Sequence, residues 1–278
     1  MKRRVVVPVN GTHKSEQAVA VAVAFARRLH ASIALVSVIT WPYTEHPAHP
    51  GYHEGLAAPY PDLEVESVVV RTRTEASNAI LAVSKPGDII CLGADHSTTT
   101  GEIVLRSVFL DLVRAFHGPV IAVGPQAVLP VDATEVLVCF DGTEHAEQGM
   151  ELVSQVIEPA GYIPFLVQVT NAPQGEVPET SYLRKLALDH PALGIKGWDV
   201  LHGHPLAAIS GYAKGPEIAA IAFATDAGDP LSRLISPSLA NELIDVATRP
   251  LILIGPKLDM SVTQHLIQPG QAGSNDPS

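Results

Sequence analysis

The feature that most constrains this fold is an internal repeat, in which the second half of the chain copies the first at an offset of 131 residues. Asn10-Gly11-Thr12 returns as Asp141-Gly142-Thr143, and Gly118-Pro119-Val120 returns as Arg249-Pro250-Leu251. A repeat this long exceeds the unit of a solenoid and matches the size of an independent domain. The sequence therefore predicts two tandem copies of one domain, at residues 1–127 and 132–257.

The composition suits two globular domains and argues against several kinds of partner. The chain has 278 residues, of which 46% are hydrophobic and 17% charged, as is typical of ordered protein with a core in each copy. A formal net charge of −11 argues against non-specific binding to nucleic acid or to an anionic membrane. The longest apolar run, residues 18–26, is too short to span a bilayer, so we expect a cytoplasmic protein whose partners are proteins or small molecules. The polar residues 258–278 are expected to form a disordered tail.

Short apolar runs alternate with helical segments in both copies. The predicted strands are 5–9, 33–39, 65–70, 88–92 and 120–123 in the first copy and 136–140, 163–169, 199–201, 218–223 and 251–254 in the second. An Ala-rich helix follows the first strand, and further helices are predicted at 75–83, 103–115, 145–157, 182–187, 205–213 and 231–247. Uniformly apolar strands separated by helices predict an α/β fold with two doubly wound, five-stranded parallel sheets. Ligands of such sheets bind beyond the carboxyl ends of the strands, at the switch point of the strand order.

The two cysteines are expected to be structural. Cys91 and Cys139 lie inside apolar runs, at positions that are not equivalent between the copies. Isolated cysteines in such runs are typical of small buried hydrophobes in a reducing compartment. We therefore predict neither a disulfide nor a metal role for them.

The order of the motifs at the strand ends resembles the universal stress protein family, over residues 3–125 and 134–256. Domains of that family open with a strand followed by an acidic residue, Gly and Ser or Thr, which Asn10-Gly11-Thr12 and Asp141-Gly142-Thr143 match in large part. Their third strand is followed by Gly-x-Pro, matched by Gly203-His204-Pro205. The resemblance implies sheets of the adenine-nucleotide alpha-hydrolase-like type with strand order 3-2-1-4-5. It also implies association through edge strands, which a tandem chain can satisfy between its two copies.

Members of the family that bind ATP carry Gly-x2-Gly-x9-Gly-Ser/Thr before the last helix and an acidic residue after the first strand. The glycines let the backbone approach the nucleotide, and the hydroxyl residue lies at a helix N-terminus, where anions bind. At these positions the first copy has Asn10, Gly93, His96, Arg106 and Ser107, followed by Val108. The second copy has Asp141, Ala224, Ala227, Pro237 and Ser238. Neither motif is complete, and Pro237 also lacks a backbone N–H donor.

Two interpretations of the nucleotide positions stay open. In the first, Asn10, Gly93, His96, Arg106, Ser107 and Val108 hold ATP or AMP in the first copy, with Arg106 binding phosphate by charge. Asp141 and Ser238 are the weaker candidates of the second copy. In the other interpretation, the loop containing His96 and residues 98–100 fills a vacated pocket, and Asp95 and Asp226 only cap their loops.

Residues 41–61 are rich in Trp, Tyr, His and Pro, unlike the equivalent stretch of the second copy. The spacing of His46, His49 and His53 suits zinc or nickel, whereas the prolines predict an extended surface segment. We expect an exposed or partner-binding loop here, and no metal site.

Catalytic motifs are missing from the sequence. It contains no P-loop, no dinucleotide-binding glycine motif, no Gly-x-Ser-x-Gly and no Cys-x2-Cys. His202-Gly203-His204-Pro205 is only superficially similar to the nucleotidyl-transferase signature, because its spacing and its strand are wrong. The resemblance therefore favours a non-enzymatic stress-response protein with degenerate nucleotide sites and no assigned cofactor, which acts through protein interactions and self-association of edge strands. The alternative is a regulatory switch that binds ATP or AMP in the first-copy pocket.

Overall fold

The computed structural model describes residues 3–41, 50–94, 103–140, 156–170, 180–224 and 237–254. Within them lie ten strands: β1 Arg4–Pro8, β2 Ser32–Thr40, β3 Val65–Thr72, β4 Ile89–Gly93, β5 Pro119–Val123, β6 Glu135–Phe140, β7 Ile163–Thr170, β8 Gly197–His202, β9 Ile218–Ala224 and β10 Leu251–Ile254. The same residues contain seven α-helices: α1 His13–Arg28, α2 Pro50–Ala57, α3 Ala76–Val83, α4 Ile103–Ala115, α5 Thr180–Asp189, α6 Pro205–Tyr212 and α7 Pro237–Val246. The α/β fold class and all ten predicted strands are confirmed.

Some predicted segments fall outside the described residues. The helix predicted at 145–157 is described only at its last two residues, which are helical. The helix predicted from residue 231 is described from Pro237 onward. The predicted tail and the loop at residues 98–100 also lie outside the described part of the chain.

Helix α1 forms because its ends are capped and one face is made of small residues. The Thr12 hydroxyl accepts a hydrogen bond from the N–H of Ser15 at the start, and arginines occupy the last turn, where cations offset the helix dipole. Ala18, Ala22 and Ala26 recur at helical spacing and are fully buried, so the helix backbone approaches the sheet closely.

The strands of both halves form one continuous sheet, in the order β3-β2-β1-β4-β5-β10-β9-β6-β7-β8. Each half therefore has the strand order 3-2-1-4-5, parallel within the half, that the family resemblance implied. The halves join where β5 and β10 pair antiparallel, with Ile121 opposite Ile252. These two residues are separated by the repeat offset of 131, so each is the other's counterpart and a local two-fold axis passes between them.

Helices of each half also pack across this junction. A Cβ atom placed on Gly124 would lie 1.8 Å from the carbonyl oxygen of Ile244, so α7 of the second half rests directly on the backbone that follows β5. On the opposite face, the Arg28 guanidinium lies 4.3 Å from the ring centre of Tyr162, whose ring also contacts Phe25. Contacts on both faces make the junction a packed interface as well as a strand pair.

The sheet is covered on both faces by apolar side chains. Each of its two hydrophobic clusters includes residues from both halves. Cys91 and Cys139 are buried free thiols, as predicted, and burial raises the pKa of both. Among the described residues, no helix is both long and apolar enough to cross a bilayer.

Candidate functional site

The strand order of the first half places a crevice between the carboxyl ends of β1 and β4. These strands are neighbours, with Val5 opposite Ile89 and Val6 opposite Ile90, yet their connections run to opposite sides of the sheet. Such a switch point is where open α/β sheets bind ligands. Two predicted site residues, Asn10 after β1 and Gly93 at the end of β4, therefore lie at the same edge.

The side chain of Asn10 is used to shape the turn after β1. Its Oδ1 accepts hydrogen bonds from the Thr12 N–H at 3.2 Å and from the Thr12 hydroxyl at 2.7 Å. Its own N–H donates to the Ser15 hydroxyl at 3.2 Å. These bonds form an Asx turn that leads into the capped start of α1. The amide oxygen of Asn10 is thus engaged by the chain itself.

Gly93 is required by the packing of β4 against α1. A Cβ atom at this position would lie 2.1 Å from the carbonyl oxygen of Lys14 and 3.1 Å from the Cα of Ser15. No side chain fits at such distances, so only glycine lets the first turn of α1 approach β4. The close backbone approach that the motif reserves for a ligand is made here by a helix of the same chain.

Tyr52 of α2 occupies the turn after β1. Its hydroxyl accepts a hydrogen bond from the N–H of Gly11 at 2.9 Å and donates one to Glu16 Oε1 at 3.1 Å. Burial raises the pKa of Tyr52 to about 12, and the hydrogen bond to Glu16 adds to this shift. The hydroxyl therefore stays protonated at neutral pH. It engages the Gly11 N–H in the turn that follows β1.

His53 anchors α2 to two further strands. The side chain is only 3% exposed, with Nε2 at 2.8 Å from the hydroxyl of Ser37 on β2 and Nδ1 at 2.5 Å from the hydroxyl of Ser67 on β3. Because the Ser37 hydroxyl donates its hydrogen to the carbonyl oxygen of Val9, we assign Nε2 of His53 as the donor to Ser37. The prediction of an extended surface segment is therefore wrong for residues 50–57, which form a helix with a buried histidine.

The pair of Ser37 and His53 is structural, although its distance is that of a catalytic serine and its base. Ser37 is fully buried and its hydroxyl already donates to Val9, so it reaches no substrate. Both ring nitrogens of His53 face hydroxyl groups, and the imidazole is not presented to a metal. His46 and His49 lie outside the described residues, and within these no group of His, Cys, Asp and Glu is arranged to hold a metal ion.

The remaining candidate residues lie at the start of α4 or outside the described residues. Because α4 begins at Ile103, the N–H groups without a helical partner belong to residues 103–105, and the Ser107 N–H lies one turn inside the helix. Val108 is 5% exposed and packs in the hydrophobic core. His96 and Asp141 lie outside the described residues, as do the side chains of Arg106, Ser107 and Ser238.

Tyr52 is not among the site residues predicted from the sequence, although the sequence contains a signal for it. Tyr52, Leu56, Tyr60 and Leu63 are partly buried apolar residues that pack against one core cluster. They recur every three or four positions, which is the period of a helix face. The prolines and histidines between them concealed that period.

Comparisons with known proteins agree with this fold. Residues 1–124 match the family model of the universal stress protein family. The structure of a universal stress protein from Archaeoglobus fulgidus is 16% identical, with a TM-score of 0.63, and the match covers 91% of this chain and 98% of that one. A putative universal stress protein from Pseudomonas aeruginosa is 14% identical, with a TM-score of 0.64 and coverage of 95% and 96%. The cytoplasmic domain of a prokaryotic cation chloride cotransporter is 13% identical, with a TM-score of 0.58 and coverage of 95% and 100%. A comparison with curated protein sequences found no match.

Proposed function

We propose that this chain, whose residues 1–124 match the family model of the universal stress protein family, is a non-enzymatic stress-response protein that acts by binding other proteins. The observation that carries the proposal is that the described backbone at the first-half crevice is already engaged by other groups of the chain. The Tyr52 hydroxyl holds the Gly11 N–H, Asn10 is bonded to Thr12, and Gly93 is covered by α1. A nucleotide would have to displace these contacts before it could use the same backbone.

The outer edge of the first half offers a surface for protein binding. Strand β3 is the last strand on its side of the sheet, and Val69 on it is 48% exposed. Next to it Trp41 is 59% exposed, with the Arg73 guanidinium 5.3 Å from its ring centre. Tryptophan and arginine are enriched in protein interfaces, and an open edge strand presents backbone groups for pairing. We propose that this edge pairs with a second copy of the chain.

Light scattering during size-exclusion chromatography tests the edge proposal. We expect the wild-type chain to form a dimer at micromolar concentrations and Val69→Lys to shift it to the monomer. Val131→Lys is the control, because Val131 is 89% exposed and belongs to no strand. A monomeric wild type, or equal effects of both substitutions, would contradict the proposal.

The second candidate function is a switch that binds ATP or AMP in the first half. It is favoured by one observation, the convergence of Asn10 and Gly93 at the switch point. Such a switch requires α2 to move, since Tyr52 contacts Gly11.

Isothermal titration of the full chain with ATP, ADP and AMP separates the two functions. The proposed function predicts no heat of binding at millimolar nucleotide. Micromolar binding that Ser107→Ala abolishes supports the switch instead. Ser238→Ala, the equivalent change in the second half, is the matched control and should leave any first-half binding unchanged.

A further inference from the structure

We infer that the first half binds a small carboxylate with an apolar tail, in a cavity at the opposite end of the sheet from the crevice. This cavity has a volume of about 380 Å³ and lies between the C-terminal ends of α3 and α4. Its wall includes Leu81, Pro86, Ala115 and Phe116, and Lys85 and His117 belong to its lining as well. The volume lies within the range of small-molecule sites, which are mostly apolar with a few polar groups that orient the ligand.

The polar end of the cavity is held in place by a buried ion pair. The turn at residues 85–88 is closed by the Lys85 N–H, which donates to Asp88 Oδ2 at 2.8 Å, and by the Asp88 N–H, which donates to the carbonyl oxygen of Lys85 at 3.1 Å. Asp88 in turn accepts two hydrogen bonds from Arg4, at 2.7 and 3.2 Å. Gly87 has a φ of 86°, which a residue with a side chain rarely adopts. Lys85 therefore belongs to a turn whose conformation is held by hydrogen bonds within the protein.

The charge at the cavity favours an anion. Arg4 neutralises Asp88 and also donates to the carbonyl oxygen of Val83 at 3.1 Å, and the Ser84 hydroxyl donates to the carbonyl oxygen of Ile80 at 2.8 Å. The carbonyl groups at the end of α3, which would repel an anion, are thus partly satisfied by the protein. Lys85 is exposed, and its ammonium group makes no ion pair with any other described residue. An apolar tail in the cavity with a carboxylate at Lys85 matches both parts of the site.

The second half provides an internal control for this site. Helix α3 is capped by Ser84 and α6 by Ala213, so Leu81 corresponds to Ser210 and Lys85 to Lys214, whereas Phe116, at the repeat offset, corresponds to Ala247. Both halves therefore have a lysine in this turn, and the aromatic wall at Phe116 is particular to the first half. This cavity is separate from the crevice, so the inference does not depend on the proposed function.

Titration of the full chain with octanoate, followed by calorimetry and by NMR chemical shifts, tests the inference. We expect saturable binding at one site per chain, with a Kd on the order of 0.1–1 mM for a ligand of this size. Lys85→Gln should weaken octanoate binding about two- to fivefold, as for one exposed ion pair, and leave the binding of neutral 1-octanol unchanged. Lys214→Gln, in the turn that follows α6 of the second half, is the matched control and should change neither.

A second variant tests the cavity itself. Leu81→Tyr places a larger side chain in the cavity wall and should weaken the binding of both ligands at least tenfold. If Leu81→Tyr lowers the Tm of the protein, Ala115→Leu fills the same cavity from α4. Failure of octanoate to saturate at 10 mM, or unchanged binding in a folded cavity-filling variant, would overturn the inference.

Discussion

Each half buries one charged residue at the start of its first strand, but the two charges have opposite signs. Arg4 begins β1 and Glu135 begins β6, and these equivalent positions are 8% and 4% exposed. Arg4 is paired with Asp88, whose side chain is 2% exposed, and with Glu66. Glu135 is paired with Lys196, whose side chain is 53% exposed. The fold thus accepts a charge of either sign here if a partner compensates it, and that partner comes from a different strand connection in each half.

The largest expected effect comes from removing the buried partner in the first half. Asp88→Asn leaves the Arg4 charge without its closest partner, and we expect the free energy of unfolding to fall by about 3–5 kcal/mol. The measurement is urea denaturation followed by circular dichroism. Lys196→Gln in the second half should cost less, because Glu135 then faces a polar residue that solvent reaches. Equal losses in the two halves would contradict the comparison.

A substitution at the close contact between Gly124 and α7 should weaken the junction between the halves. Gly124→Ala places a Cβ atom against the carbonyl oxygen of Ile244, so α7 must shift and we expect a loss of about 2–3 kcal/mol. Because this contact joins the halves, the single unfolding transition expected for the wild type should broaden or divide in calorimetry. Gly211→Ala on α6 is the control, since no atom lies within 4 Å of its added Cβ and alanine favours a helix. Broadening in both variants would argue against a role for the Gly124 contact.

A smaller effect on stability is expected from substitutions at the ends of β4 and β9. The first half has Gly93 and the second has Ala224 at the equivalent position. Gly93→Ala brings a Cβ atom against Lys14, and we expect it to lower the free energy of unfolding by about 1–2 kcal/mol. Ala224→Gly should cost about 0.5–1 kcal/mol, because glycine loses more backbone entropy on folding. An unchanged stability of Gly93→Ala would show that packing against α1 does not require glycine at this position.

The smallest effect is a pH dependence of stability that arises from Tyr52. The pKa of Tyr52 is raised from 10.0 to about 12, so folding favours the protonated hydroxyl. Its contribution to stability is complete below pH 10 and is lost as the pH rises towards 12. The equivalent residue of the second half is the fully buried Leu183, which does not titrate. The difference in unfolding free energy between wild type and Tyr52→Phe should therefore shrink over this range, and a constant difference would contradict it.

The sequence predicted the strands because their signal is local. Runs such as Ile89-Ile90-Cys91-Leu92 are apolar and short, and burial in the centre of a sheet requires little else. The repeat offset and the family resemblance together predicted the strand order of each half.

The contacts that engage the backbone at the site could not be predicted in the same way, because their partners are distant in sequence. Tyr52 reaches Gly11 across 41 residues, and His53 requires Ser37 and Ser67 on two other strands. These polar contacts leave no periodic pattern, and the helix they anchor is too short to form on its own. Likewise, the contact of Gly93 with α1 is a distance between backbones, which the residue types alone do not reveal.

The pairing of Ile121 with Ile252 has a consequence for how this molecule can change. In a dimer of identical subunits, every substitution near the symmetry axis appears on both sides at once, and any harm it does is doubled. Here the two sides are encoded separately within one polypeptide. Residues of one half can therefore preserve the junction between β5 and β10 while their counterparts in the other half are substituted.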